Sequence, residues 1–173
     1  MAHKGLSWIN TIVGDIPHDR IILELVEAIV DREGDAVARA VAELRERGVR
    51  IALDDFGIGQ STLERLQRVP VDFVKIDRHF INAAFNTRRD RDILNGIIDV
   101  GLVSDAATVV EGIDTQAQLD LAQELGATHA QGFFLGQPAP ISHWSTPVQA
   151  SASSHSTPTN LVKLPHQMSH PGR

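Results

Sequence analysis

The sequence contains no cysteine, which excludes disulfides, thiolate metal ligands and a cysteine nucleophile. No apolar run approaches the ~20 residues needed to cross a bilayer, and the N-terminus carries no signal-peptide pattern. A soluble, cytoplasmic protein without membrane insertion is therefore expected. Positive charge is also short: 16 lysines and arginines face 22 aspartates and glutamates, a net charge of −6. A general nucleic-acid binder is usually basic, so no DNA partner is expected. A phosphate-bearing substrate stays open, because bound metal ions can supply positive charge locally. What the chain does have is ordinary for a globular protein, 42% hydrophobic and 22% charged residues over 173 positions. That is enough for one domain with a sizeable core.

The most informative stretch runs from Val49 to Gly59. Val49-Arg50-Ile51-Ala52-Leu53 reads as a buried strand that discharges into Asp54 and Asp55. Gly57 and Gly59 follow, giving a turned loop. Adjacent carboxylates repel one another unless a cation sits between them, and in α/β folds ligands bind at that end of a strand. An Asx turn leading into a helix cap accounts for the same residues without a ligand.

The rest of the chain alternates strands and helices. Residues 1 to 17, with Leu6, Trp8, Ile9, Ile12 and Val13 at rough helical spacing, read as a residual amphipathic helix or a non-native lead. Arg20 to Leu25 reads as a buried strand with Glu24 among aliphatics, either partnered or on a half-exposed face. Asp35 opens a helix with Glu43 and Arg47 as an i,i+4 pair, and Gly48 closes it. Ser61 and Glu64 form a capping box for a short helix ending before Pro70. Phe73 to Asp77 is a further strand whose Lys75 either meets acidic groups or snorkels to the surface. Ile93, Leu94, Ile97, Ile98 and Leu102 mark a helix. A strand from Ala107 then ends on Glu111-Gly112, Thr115 and Gln118 cap a helix that Gly126 terminates, and a last strand runs from about His129 to Phe134. From residue 145 to 173 the composition turns to Ser, Thr, Pro and His, which predicts a disordered tail. Its histidines lack ligand spacing on any regular element.

Strands are thus expected near residues 20–25, 49–54, 73–77, 107–111 and 129–134, joined by helices into right-handed βαβ units with a parallel sheet. Each ends on a polar residue: Glu24, Asp54 with Asp55, Lys75, Glu111, Gln131. Five strands aiming such groups at one rim is the layout of an active site at the top of a barrel.

The series resembles the EAL-domain family, bacterial phosphodiesterases that cleave cyclic di-GMP to linear pGpG. Glu24-Leu25-Val26-Glu27 is similar to its ELTE motif, Asp54-Asp55-Phe56-Gly57-Ile58-Gly59 to DDFGTG, Lys75-Ile76-Asp77 to KID, Glu111-Gly112-Ile113-Asp114 to EGVE and Gln131-Gly132-Phe133 to QGY. The resemblance implies a TIM-barrel-like (β/α) fold, here of about five parallel strand–helix units over residues 18–144, and two Mg2+ or Mn2+ ions. It implies that Asp54 bridges the ions, Glu24 sits on the first, and Asp55 and Glu111 sit on the second. Lys75 would orient or activate the attacking water, Gln131 would hydrogen-bond near it, and Glu27 would steady the loop of Gly57 and Gly59. Oxygen ligands suit hard cations, and two ions can activate water and stabilise both entering and leaving oxygens.

The departures from the family pattern matter equally. The Glu-Ala-Leu motif is absent, since Glu27-Ala28-Ile29 only imitates it, and so is the metal-binding Asn of an earlier strand. The first metal site is therefore expected to be incomplete. Ile58 and Gln60 stand for the usual Thr and Tyr, and Asp114 for a Glu. A barrel of this class needs ~250 residues, so the chain reads as a truncated C-terminal portion, weakly active or inactive alone. A degenerate module that senses a nucleotide or acts as a scaffold is the alternative. An open barrel edge at the Glu24 strand predicts self-association or cover by residues 1 to 17.

Overall fold

The computed structural model describes residues 9, 11–12, 14–58, 66–139 and 161–164, with residues 27–34 and 161 described by backbone alone. A 3-10 turn at His18–Arg20 leads into strand β1 (Ile22–Val26) and helix α1 (Glu27–Glu46). Strands β2 (Arg50–Phe56) and β3 (Phe73–Ile76) follow, then helices α2 (Arg78–Ala83) and α3 (Arg88–Val103). The chain continues through β4 (Ala107–Val110), α4 (Gln116–Glu124), β5 (His129–Gln131) and β6 (Leu161–Lys163). The sheet order is β1-β2-β3-β4-β5-β6, and it does not close. All neighbours from β1 to β5 pair in parallel, in the sequential order that strand–helix alternation predicts. Among the described residues no helix is long and apolar enough to cross a membrane.

Side-chain alternation sorts each strand into two faces. Outward-facing Ile51, Leu53, Val74, Ile76, Val110 and Ala130 meet the helices, where Val41 and Leu44 of α1, Leu94 and Ile98 of α3 and Leu121 of α4 are buried against them. On the inner face a second, smaller cluster joins Ala52, Phe73 and Val109 with Ile22. Two residues beyond these four lie Asp54, Lys75, Glu111 and Glu24 respectively, so each strand carries an apolar residue below and a charged one above. One alternation thus builds both the interior and its charged rim.

Helix α2 (Arg78–Ala83) was not read in the sequence and β2 runs on to Phe56 rather than ending at residue 54; three further differences have a clear physical reason. The first helix starts at Glu27, directly after β1, rather than at Asp35. An interior glycine costs about 1 kcal/mol relative to alanine, and Gly34 is carried inside a 20-residue helix whose propagation is cooperative. The fifth strand stops at Gln131 rather than Phe134 because the chain turns there, with the Gly132 carbonyl accepting from Leu135 and Gly136. The third difference lies within the residues read as an irregular tail: Leu161–Lys163 pair antiparallel with β5, and Leu164 is buried at 6% exposure. A three-residue strand is set by the edge it docks on, which composition does not display.

Several capping expectations are met. Glu43 and Arg47 are 2.7 Å apart. Gly48 (φ +93°) and Gly126 (φ +83°) occupy left-handed backbone after helices, and Thr115 with Gln118 forms the capping box of α4. The Ser61–Glu64 box and the tail, apart from residues 161–164, lie outside the described residues. Of the N-terminal stretch, Ile9 is 2% exposed in the main core. Among the described residues β1 pairs on one side only.

Ile98 on α3 is fully buried and Val103 on the same helix is 86% exposed. Ile98→Ala is expected to lower stability by about 2–5 kcal/mol through lost burial and the cavity left behind. Val103→Ala is expected to change it by no more than about 0.5 kcal/mol. Paired urea unfolding curves check the contrast, and equal midpoints would contradict the assigned core.

Candidate active site

The charged rim converges on one ammonium. Lys75 sits mid-sheet on β3, 7% exposed, and its Nζ lies 2.8 Å from Glu111 Oε1, 3.0 Å from Glu24 Oε1 and 3.0 Å from Asp54 Oδ1. A lysine so placed needs partners, and carboxylates from β1, from β2 and from the residue just past β4 supply them. Burial pushes its pKa down, but the hydrogen bonds to Glu111, Glu24 and Asp54 outweigh that and hold it above the ordinary lysine range. At neutral pH Lys75 is thus a proton donor in hydrogen bonds, not a base. Glu111 is displaced upward from the ordinary carboxylate range, chiefly by burial. The Lys75 bond opposes this shift, while the Asp54 and Glu24 charges add to it.

The remaining expected residues divide. Gln131 ends β5 and lines a cavity of about 350 Å3 on the inner face together with Glu24 and Lys75. Asp55 is exposed and lies outside the lysine's set of ion pairs, with left-handed backbone (φ +56°) beside a register shift between Leu53 and Phe56. That irregularity lets two consecutive aspartates leave one strand in different directions. Gly57, at φ +103°, has no room for a side chain: a Cβ would sit 2.8 Å from the Phe80 ring. Gly59 and the Glu27 side chain lie outside the described residues. Sequence reasoning passed over Arg78 and named Phe133 only as part of the Gln131-Gly132-Phe133 stretch; both line a neighbouring cavity with Glu111 and Gln131. The available signal was position, since Arg78 directly follows the Lys75-Ile76-Asp77 strand end and Phe133 follows Gln131-Gly132.

Chemically, carboxylate oxygens on adjacent parallel strands are the donor type that Mg2+ or Mn2+ takes. Around Lys75 three carboxylates share one ammonium, leaving negative charge in excess. Among the described residues no group of three or more His, Asp or Glu is arranged as a ready cage; the ammonium itself gathers the three carboxylates.

A family model for the EAL domain matches residues 2–138. The bifunctional diguanylate cyclase/cyclic di-GMP phosphodiesterase MucR of Pseudomonas aeruginosa is 39% identical over 142 residues, covering 80% of this chain and 21% of MucR. The probable cyclic di-GMP phosphodiesterase PdeA of Escherichia coli is 33% identical over 121 residues, covering 70% of this chain and 17% of PdeA. A solved structure of the P. aeruginosa MucR phosphodiesterase in complex with c-di-GMP superposes with a TM-score of 0.72 at 35% identity, over 83% of this chain and 59% of that one. The chain thus spans about a fifth of the length of these curated relatives.

Lys75→Met keeps an apolar stem but strips the counter-charge from Asp54 and Glu111, whose side chains are only 24% and 22% exposed. A loss of about 3 kcal/mol at neutral pH is expected. Glu111 already binds its proton more tightly in the folded chain than in the unfolded one, and losing Lys75 widens that gap. The folded state then holds more protons than the unfolded state, so stability falls as pH rises from the carboxylate range toward neutrality. Urea midpoints at about pH 4.5 and about pH 7.5 should show variant and wild type closer together at the acidic value. A gap independent of pH would contradict this electrostatic account.

Proposed function

The chain belongs to the EAL-domain family, and from that membership we propose that it is a cyclic di-GMP phosphodiesterase module, opening the cyclic dinucleotide to linear pGpG. The observation that carries this reading is the meeting of Glu24, Asp54 and Glu111 on Lys75 at the C-terminal rim of a parallel sheet. Its similarity to MucR, a bifunctional diguanylate cyclase/cyclic di-GMP phosphodiesterase, and to PdeA, a probable cyclic di-GMP phosphodiesterase, supports it. Glu24, Asp54, Asp55 and Glu111 are the residues that would hold Mg2+ or Mn2+. When bound, such ions supply an activated water and neutralise charge developing at phosphorus. Lys75, whose ammonium gathers the three carboxylates, would orient that water, and Gln131 would donate or accept beside it from β5. A cytoplasmic location accords with a chain free of disulfides.

The site is proposed to be unequal in its two halves. Asp54 and Glu111 are well enclosed, whereas the Glu24 side chain is 52% exposed on β1. Half-built coordination at the β1 side favours weak metal binding and little turnover by the chain alone. The β1 edge, paired on one side only among the described residues, favours the second reading, a nucleotide-sensing or scaffold module, and self-association through β1.

Calorimetric titration with Mn2+, run beside a cyclic di-GMP turnover assay, tests the proposal. One weak binding event, lost in Asp54→Asn, with slight hydrolysis is expected. Nucleotide binding without any hydrolysis would favour the sensor reading. Absence of both metal and nucleotide binding would overturn the enzymatic proposal.

A further inference from the structure

At the end of the sheet opposite the charged rim, a short polar chain holds the start of β5 between β4 and β6. Thr128, the residue before β5, donates its hydroxyl proton to the Thr108 carbonyl oxygen at 2.8 Å, and its backbone N–H donates to Thr108 Oγ1 at 3.1 Å. The same hydroxyl lies 2.9 Å from His129 Nδ1. A hydroxyl has one proton to give, and this one is already given. Thr128 Oγ1 therefore accepts from His129, and the neutral imidazole carries its proton on Nδ1. On the other side the Leu164 N–H donates to the Thr128 carbonyl oxygen at 2.8 Å, with the Leu164 side chain buried.

His129 shares this corner with cations. Lys163 of β6 is its direct cross-strand partner, and directly opposed residues of an antiparallel pair share one face within reach of each other. Arg50 approaches from β2, with its guanidinium 5.5 Å from the centre of the Phe73 ring. That ring in turn stands edge-to-face with His129, their centroids 5.5 Å apart. From β3 and β4 the imidazole thus meets Phe73 and its register partner Val109, neither of which carries charge. Burial first, then the charges of Lys163 and Arg50, hold the His129 pKa below the ordinary histidine range.

We propose that His129 and Lys163 form a pH-sensitive latch: neutral His129 lets β6 dock on β5, and its protonation releases β6 from that edge. The incoming proton goes to Nε2, so the Nδ1 bond to Thr128 is kept and charge alone drives the change. Protonation sets two cations directly opposite each other, which destabilises a cross-strand pair, and Arg50 adds to the repulsion. Undocking takes Lys163 away and admits water, so the undocked chain binds the proton more readily than the docked one. Docking is therefore complete above the ordinary histidine pKa of about 6.5 and weakens as pH falls through it. The effect reaches the rim through backbone pairing, because Leu161 of β6 is the partner of Gln131, which lines the inner-face cavity with Glu24 and Lys75.

Amide hydrogen exchange on the full chain, corrected for intrinsic rates, tests this at about pH 7.5 and about pH 5.5, on either side of the histidine range. The reporter is the Leu164 amide, bonded to Thr128 across the docked edge, and the control is the Asp72 amide, bonded to the Ile51 carbonyl inside the sheet. In the wild type, Leu164 protection should fall by about threefold to tenfold at the acidic value, with Asp72 unchanged. His129→Asn keeps a donor for Thr128 but cannot become charged, and its Leu164 protection should not depend on pH. Lys163→Met keeps the apolar stem; it should halve the acidic loss or better and raise the His129 pKa read by imidazole NMR. Equal Leu164 protection at both pH values in the wild type would overturn the latch. So would an acidic loss that persists in His129→Asn, or one matched at Asp72, which would mark general unfolding.

Discussion

The ammonium of Lys75 is the constraint on which the rim depends. Three carboxylates on neighbouring parallel strands cannot share a few ångströms of low-dielectric space without a cation, because their repulsion grows as water is removed. Lys75 supplies that cation from the middle of the sheet, at 2.8–3.0 Å from each. Its own burial is unfavourable and is offset only because all three partners arrive. The cluster is therefore conditional on register. Glu24 aligns with Ala52, and Lys75 with Val109, so the charged residues climb the inner face in step with the strand stagger. A one-residue slip would turn a strand's charged residue outward, into the apolar layer against the helices.

Around that cluster the backbone does what side chains alone could not. Asp55 in left-handed conformation and the register shift beside it re-aim the chain as it leaves β2. Gly57 lets Phe80 pack against the loop, while Gly112 and Gly132 bring α2 and the β4 and β5 loops into contact. Each of these glycines sits at or within one residue of the C-terminal end of a strand or the residue just past it. Left-handed backbone also follows helices at Gly48, Asp105 and Gly126, where it only ends an element; at the rim it brings loops together.

Much of this was legible in the sequence, for a physical reason. Parallel strands buried on both faces read as aliphatic runs, so a lone charged residue inside one, as at Glu24 or Lys75, stands out and asks for a partner. Helix punctuation at Gly48, Thr115 and Gly126 was equally plain, because caps are local chemistry. The start of α1 was not, since the clear apolar periodicity begins only at Asp35, whereas the helix continues back through Gly34 to Glu27. Nor was β6, whose three residues owe their conformation to the exposed edge of β5 rather than to any pattern of their own. Asp55 resembles Asp54 in sequence yet diverges from it in space, because spacing along a strand does not reveal a local irregularity.

Enclosure changes across the rim, and this orders the importance of its members. Glu111 and Asp54 sit beside the central strand with side chains 22% and 24% exposed, while Glu24 on the outermost strand is 52% exposed. Coulomb attraction to the same ammonium is weaker where water is near, since screening rises with exposure. Asp54 and Glu111 are thus held as a rigid pair across Lys75, whereas Glu24 contributes through an arm that solvent competes for. An incoming cation would find two oxygens already ordered and a third that must still be recruited. The strength of the β1 side then depends less on which residues it carries than on what covers its edge. On the metal-binding reading proposed above, Glu24, Asp54 and Glu111 would accordingly coordinate tightly or weakly depending on whether β1 is paired on its far side.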